Sequence, residues 1–194
     1  MRTTIGIISG RFQPPHSGHT QSWQWLNDKF DEAFVGTSDK TDPLRSPFNF
    51  SQKHALLAHA GIPFNNIIKV ANPYIATEIV ERFDPTSTVV VFAISEKDMQ
   101  DNPRFDFKPK KDGSAGFLQP YAANAAKLQS VNTHAYVITL PTFEFVVAGV
   151  LMTSATQLRN RFAMSDYAGQ KQIITDLYGA HNENIHDLMC GKIG

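Results

Sequence analysis

The residues best able to do chemistry lie near the start of the chain. His16 and His19 stand three apart within Gly10-Arg11-Phe12-Gln13-Pro14-Pro15-His16-Ser17-Gly18-His19. At the start of a helix that spacing lets both rings project to one side. Paired imidazoles can donate hydrogen bonds to phosphate oxygens and follow negative charge as it builds there. Pro14 and Pro15 stiffen the turn that carries them. Gly18, without a Cβ, permits either a strained backbone angle or the close approach of a ligand. On residue types alone an alternative stands beside this one: one histidine caps a helix and the other is a surface residue.

The flanking segments say what would hold such a turn. Thr4-Ile5-Gly6-Ile7-Ile8-Ser9 is a β-branched apolar run closed by glycine, which predicts a buried parallel strand. Beyond His19, the segment from Thr20 to Lys29 with Trp23, Trp25 and Leu26 predicts a helix. The decapeptide is then a strand-to-helix turn. In an open parallel sheet such turns lie at the carboxyl ends of the strands, and the helix that follows aims free N–H groups at an anion. Further strands are predicted at Ala33–Thr37, Ile67–Val70, Thr88–Ile94 and Ala135–Thr139. Alternating with helical segments, they predict an α/β, Rossmann-like, doubly wound parallel sheet of five strands. Residues 1–165 are expected to form this domain, with 166–194 a short C-terminal helical extension packed on it.

Composition narrows the class. Eighteen basic and eighteen acidic residues leave no net charge, which disfavours a nucleic-acid partner. The single cysteine, Cys190, excludes an intrachain disulfide framework and a cysteine cluster for zinc. No apolar stretch reaches membrane-spanning length and no signal-peptide pattern opens the chain, so a cytoplasmic protein without a membrane partner is expected. His181, His186 and Cys190 do not have the spacing of a zinc site, and no metal ligands are assigned. The segment around them is expected to serve packing or contact between copies of a homo-oligomer.

Other stretches fall where ligands bind in such a sheet. Residues 36–48, rich in Ser, Asp, Thr and Pro, read as a loop leaving the second strand at its carboxyl end. Arg45 there offers a fork that matches phosphate, or is simply an exposed loop arginine. Ser95-Glu96-Lys97-Asp98 closes the fourth strand, whose neighbour should be the first; it contacts an acceptor or a base, or is a solvated helix start. Residues 101–119, with Pro103, Pro109, Gly113 and Gly116, read as an irregular insertion, either a lid or a solvated loop. Near the end, Thr153 and Ser154 are N-cap types ahead of a helix that carries Thr156 and Arg159, gathering anion donors at one point.

Gly10 to His19 resembles the signature of the HxGH-containing nucleotidylyltransferases, closest to archaeal-type nicotinamide mononucleotide adenylyltransferases. Arg45 before Ser46-Pro47-Phe48 is similar to their R-[DN]-P-F element, and Ser154, Thr156 and Arg159 match their I-S-[STG]-T-x-[IL]-R element. Two features depart: Gln52-Lys53 stands for E-R, and no G-N-P-like turn follows the fourth strand; the cytidylyltransferase R-T-x-G-I-S-T-T signature is absent, which counts against the use of CTP. The resemblance implies transfer of a nucleotidyl group from a nucleoside triphosphate, ATP before CTP, to a phosphorylated acceptor, with pyrophosphate leaving. His16, His19 and Arg11 would be catalytic. Gly10, Phe12, Gln13, Gly18, Ser154, Thr156 and Arg159 would bind the nucleotide. Ser38, Arg45, Ser95 and Asp98 would serve the acceptor, nicotinamide mononucleotide first, phosphopantetheine or another next. Mg2+ would arrive with the triphosphate. A non-catalytic nucleotide sensor of the same fold is the alternative of a different class.

Overall fold

Strands form where β-branched and aromatic residues run together, and helices start where a polar side chain can cap them. The computed structural model describes residues 2–101, 105, 107–152 and 154–193. Thr153 and Pro103 lie outside the described residues. In chain order the elements are β1 (Thr3–Ser9), α1 (Ser17–Lys29), β2 (Glu32–Thr37), α2 (Phe50–His59), β3 (Ile67–Lys69), α3 (Thr77–Val80), β4 (Thr88–Ser95), α4 (Glu96–Asp101), β5 (Leu118–Pro120), α5 (Tyr121–Asn124), β6 (Ala135–Leu140), β7 (Phe145–Val147), β8 (Val150–Met152), α6 (Ala155–Ala163), α7 (Tyr167–Tyr178) and α8 (Glu183–Ile193). They divide into two units, the first of residues 1–10, 22–37 and 68–142, the second of 11–21, 38–67 and 143–194.

The first unit is built on a sheet of order β3-β2-β1-β4-β6-β5, six strands where five were expected. β1 runs parallel to both β2 and β4, and β6 parallel to both β4 and β5. The added strand is Leu118-Gln119-Pro120, which pairs with Ala135-Tyr136-Val137. Three residues containing Gln and Pro carry no strand pattern; the neighbour β6 makes them a strand. As expected, β1 and β4 are adjacent, with Ile5 opposite Val90 and Ile7 opposite Phe92. These four join Phe34, Val70, Ile79 and Val137 in one buried cluster. Phe105 is in that cluster too, with its ring 5.6 Å from that of Phe92, so the 101–119 segment is anchored in the core at this point. Gly6 is required by packing: a Cβ there would lie 2.7 Å from the Phe30 ring and 3.3 Å from Leu26.

The second unit holds the histidine turn, the first turn of α1, the 38–48 loop, α2 and everything from β7 onward. β7 and β8 form an antiparallel hairpin in which Phe145 pairs with Met152, turned by Ala148 and Gly149 at φ +48° and +73°. Its core gathers Phe48, Leu56, Phe145, Leu158, Phe162, Ile174, Leu177 and Met189. Helices α7 and α8 therefore share one apolar cluster with the 38–48 loop and α2. Asn49 and Gln52 cap α2 reciprocally, each side chain taking the other's backbone N–H at 3.0 Å. Asp166 caps α7, and Gly179, at φ +85°, ends it.

Candidate active site

The turn after β1 folds under constraints that its own residues supply. Phe12 adopts φ +49°, and the Gln13–Pro14 peptide bond is cis. The amide of Gln13, buried, makes two hydrogen bonds to one residue: Nε2 donates to the Phe48 carbonyl and Oε1 accepts from the Phe48 N–H, both at 2.8 Å. Gln13, expected to bind nucleotide, thus uses its side chain to tie the turn to the 38–48 loop. Tyr178, buried on α7, donates its hydroxyl hydrogen to the Pro15 carbonyl at 3.0 Å. Gly10, in the first unit, donates its N–H to the Gly36 carbonyl at 3.2 Å and accepts from the Thr37 hydroxyl at 2.9 Å.

The two imidazoles come together. Their ring centroids are 3.7 Å apart and their planes 29° from parallel. The Phe145 ring covers the other face of His16 at 3.9 Å and 9°, and the Phe12 ring meets His19 edge-on at 4.7 Å. Gly18 owes its place to this packing. A Cβ there would lie 3.2 Å from His16 Nδ1 and 3.1 Å from the Phe143 carbonyl, so the group approaching the glycine closely is His16 itself.

Burial sets the charge of the pair. His16 is pushed down to about 4 by loss of solvent, and His19 lies well below the usual imidazole range because of burial and the adjacent His16. Both rings are neutral near pH 7. The His16 backbone N–H donates to His19 Nδ1 at 3.2 Å, so that nitrogen is the acceptor and Nε2 carries the proton. His16 Nδ1 is buried without a hydrogen-bond partner among the described residues.

Arg159 reaches the same turn from α6. Its Nη1 donates to the Gln13 carbonyl at 2.5 Å, and Nη2 donates to the Leu44 carbonyl at 3.4 Å and to Thr156 Oγ1 at 3.3 Å. Partial burial and the neighbouring Arg11 both lower its proton affinity. Two guanidinium groups near enough to repel form a local excess of positive charge that an anion would relieve. Ser154 Oγ caps α6 by accepting from the Gln157 N–H at 3.3 Å. In the 38–48 loop the Asp42 carboxylate accepts from Leu44 and Arg45 N–H at 3.0 and 2.8 Å, which shapes the bend carrying the exposed Arg45.

Of the expected site residues, the second unit brings together Arg11, Phe12, Gln13, His16, Gly18, His19, Ser154, Thr156 and Arg159, with Ser38 and Arg45 on its loop. Ser95 and Asp98 belong to the first unit, where Ser95 Oγ donates to the Asp98 carboxylate at 2.9 Å. Phe145, Asp176 and Tyr178 are not singled out in the sequence, and Lys53 is noted there only as a departure from the family pattern. Lys53 is fully buried on α2, its ammonium donates to the Ser38 carbonyl, and burial pulls it down to about 8. A lysine three and four residues before Leu56 and Leu57 sits on the buried face of that helix, and this was the available signal. Phe145, Asp176 and Tyr178 carry no local signal, since their partners are remote in the chain.

His186 Nε2 donates to Gln170 Oε1 at 3.0 Å, and Cys190 stands beside both. Among the described residues no group of three His, Cys, Asp or Glu side chains could hold a metal ion. None of the described helices is long and apolar enough to cross a membrane.

Residues 7–134 match the family model described as cytidylyltransferase-like, well over half of the chain. The chain belongs to the cytidylyltransferase-like family. It is 32% identical over 74 residues to a nicotinamide-nucleotide adenylyltransferase of Thermococcus sibiricus. That alignment takes in 35% of this chain and 40% of the relative. Its fold is also that of a bifunctional NMN adenylyltransferase/ADP ribose pyrophosphatase from Francisella tularensis, solved with AMP and a manganese ion. The TM-score is 0.56 at 12% identity, over 97% of this chain and 49% of that one. Against the Plasmodium falciparum nicotinic acid mononucleotide adenylyltransferase solved with NaAD it is 0.53, at 12% identity over 98% and 96% of the two chains.

Proposed function

We propose that the chain is an adenylyltransferase that joins the adenylyl group of ATP to nicotinamide mononucleotide and releases pyrophosphate. The reading rests on one observation above the others: a neutral, stacked histidine pair in an H-x-G-H turn whose carbonyl at Gln13 is gripped by Arg159. The named archaeal relative and the two adenylyltransferase folds support the same chemistry.

In this mechanism an oxygen of the acceptor phosphate attacks the α-phosphorus in line. The new P–O bond forms as the bond to the β-phosphate bridge breaks, and pyrophosphate departs with the electron pair. The acceptor is already ionised, so no protein nucleophile is required. The chain's task is to align the reactants and stabilise charge on the α-phosphate and the leaving group. His19 Nε2–H serves as a neutral donor to an α-phosphate oxygen. His16 serves the bridge, and Arg11 with Arg159 holds the β- and γ-phosphates together with the start of α6.

The donors here are imidazoles, guanidiniums and N–H groups, which suit phosphate oxygens, whereas magnesium takes oxygen ligands. Magnesium therefore belongs to the substrate, as the magnesium–triphosphate complex. Ser38 and Arg45 are assigned to the acceptor, with Lys53 holding the Ser38 backbone in place. Pyrophosphate release, with ATP and CTP each offered nicotinamide mononucleotide, phosphopantetheine, glycerol 3-phosphate and choline phosphate, tests the assignment. Turnover with ATP and nicotinamide mononucleotide is expected. Turnover confined to another pair would reassign the acceptor, and tight ATP binding without turnover by any pair would make the chain a sensor.

A further inference from the structure

The H-x-G-H turn explains where the two histidines sit along the chain but not what fixes the plane of the first. His16 lies between two rings, and only one of them belongs to the turn. His19 covers one face at 3.7 Å and 29°; Phe145 covers the other at 3.9 Å and is within 9° of parallel. A side chain held flat on both faces cannot rotate about its χ2 bond without moving a neighbour. The His16 backbone and the stack together thus fix where the edge of the ring points.

Phe145 is itself well fixed. It is buried, it opens β7, and it pairs with Met152 across the hairpin. The hairpin tip is held from two helices: the Ala148 N–H donates to Asp176 on α7 at 2.6 Å, and the Ala148 carbonyl accepts from Arg161 on α6 at 3.1 Å. Behind it Tyr178 on α7 grips the Pro15 carbonyl. The C-terminal helices therefore reach His16 by two routes, through the turn's backbone and through the Phe145 ring.

We propose that Phe145 is a positioning residue for His16, orienting its imidazole toward the bridging oxygen of the triphosphate and keeping water off its face. This rests on the nucleotidyl-transfer reading above, which gives His16 its target. Phe145 touches no reacting atom; it acts through His16. Of the described rings stacked on His16, His19 is the one that titrates, and β7 contributes only the hydrocarbon face of Phe145. Removing that face admits water to His16 while leaving its charged surroundings unchanged.

The test compares Phe145→Leu and Phe145→Tyr in the full chain, using pyrophosphate release and the histidine ring resonances of the nucleotide-free protein across pH. Phe145→Leu is expected to lower kcat about tenfold with KM for ATP changed less than twofold, and to move the His16 titration upward toward the ordinary imidazole value. Phe145→Tyr, which keeps the flat face, is expected to restore both. A residue that served only packing would lower the melting temperature without moving the titration.

If Phe145→Leu fails to fold, Phe145→Met, which fills the space without a flat face, carries the same comparison. An unmoved His16 titration and unchanged kcat in a folded variant would overturn the proposal. Wild-type chain silent with every acceptor would sink the transfer reading alone, because the resonance measurement needs no substrate.

Discussion

At the scale of residues, the site depends on two imidazoles kept neutral by burial. A histidine whose folded pKa is lowered binds fewer protons folded than unfolded in the interval between the two values. For His16 that interval runs from about 4 in the folded chain to about 6.5 unfolded. The stability it confers is complete above the upper value and is lost as pH falls toward the lower one. Melting temperature should therefore fall as pH drops from 7 to 4, and His16→Gln, which cannot titrate, should show a shallower fall over the same range. Equal slopes in thermal melts of the two proteins would mean that His16 is solvated.

The motif histidines, Gly18 and Arg159 were legible because short spacing and residue type carry them. The reason for Gly18 was not. No ligand need approach it, since His16 Nδ1 and the Phe143 carbonyl already stand where its Cβ would be. Gln13 was read as a ligand group, yet its amide is occupied by Phe48, a partner 35 residues away that nothing local announces.

At the scale of elements, α6 places a fork rather than a mere charge. Arg159 bonds two carbonyls, of Gln13 and Leu44, and the Thr156 hydroxyl, which a single ammonium cannot match in the same geometry. Arg159→Lys keeps the charge and loses that bracing. KM for ATP is expected to rise roughly tenfold, about 1.4 kcal/mol, with a further fall in kcat. Kinetics indistinguishable from wild type would show that the guanidinium contributes charge alone.

The five expected strands appeared because their β-branched runs say so without help. Leu118–Pro120 did not, being three residues long, and its pairing to β6 is a tertiary effect. The β7–β8 hairpin is an intermediate case. Phe145-Val146-Val147 and Val150-Leu151-Met152 flank a two-residue turn, but its first position is Ala148 at positive φ, where Asn or Asp would have signalled it.

At the scale of the whole molecule, the chain divides into two compact units, each with a buried cluster, and the histidine turn belongs to the one that holds the C-terminal helices. We propose that 166–194 is part of the same folding body as that turn. Ile173, Ile174, Leu177, Ile185 and Met189 are buried in its core. Losing a buried aliphatic side chain costs about 2–5 kcal/mol, and a domain is stable by only about 5–15 kcal/mol. Deleting residues 166–194 should accordingly unfold the second unit, seen as lost hydrogen-exchange protection on α2 and α6 and lost ATP binding. Retained protection there would make the segment a dispensable extension.

The central claim is that the H-x-G-H turn stabilises charge on the α-phosphate as the nucleotidyl group moves. The rate of pyrophosphate release at saturating ATP and nicotinamide mononucleotide, compared between the wild-type chain and a folded His19→Ala variant, tests it most directly. Loss of one such donor lowers turnover by about two to three orders of magnitude, and that fall is expected. An unchanged rate in a variant that still melts cooperatively would contradict it.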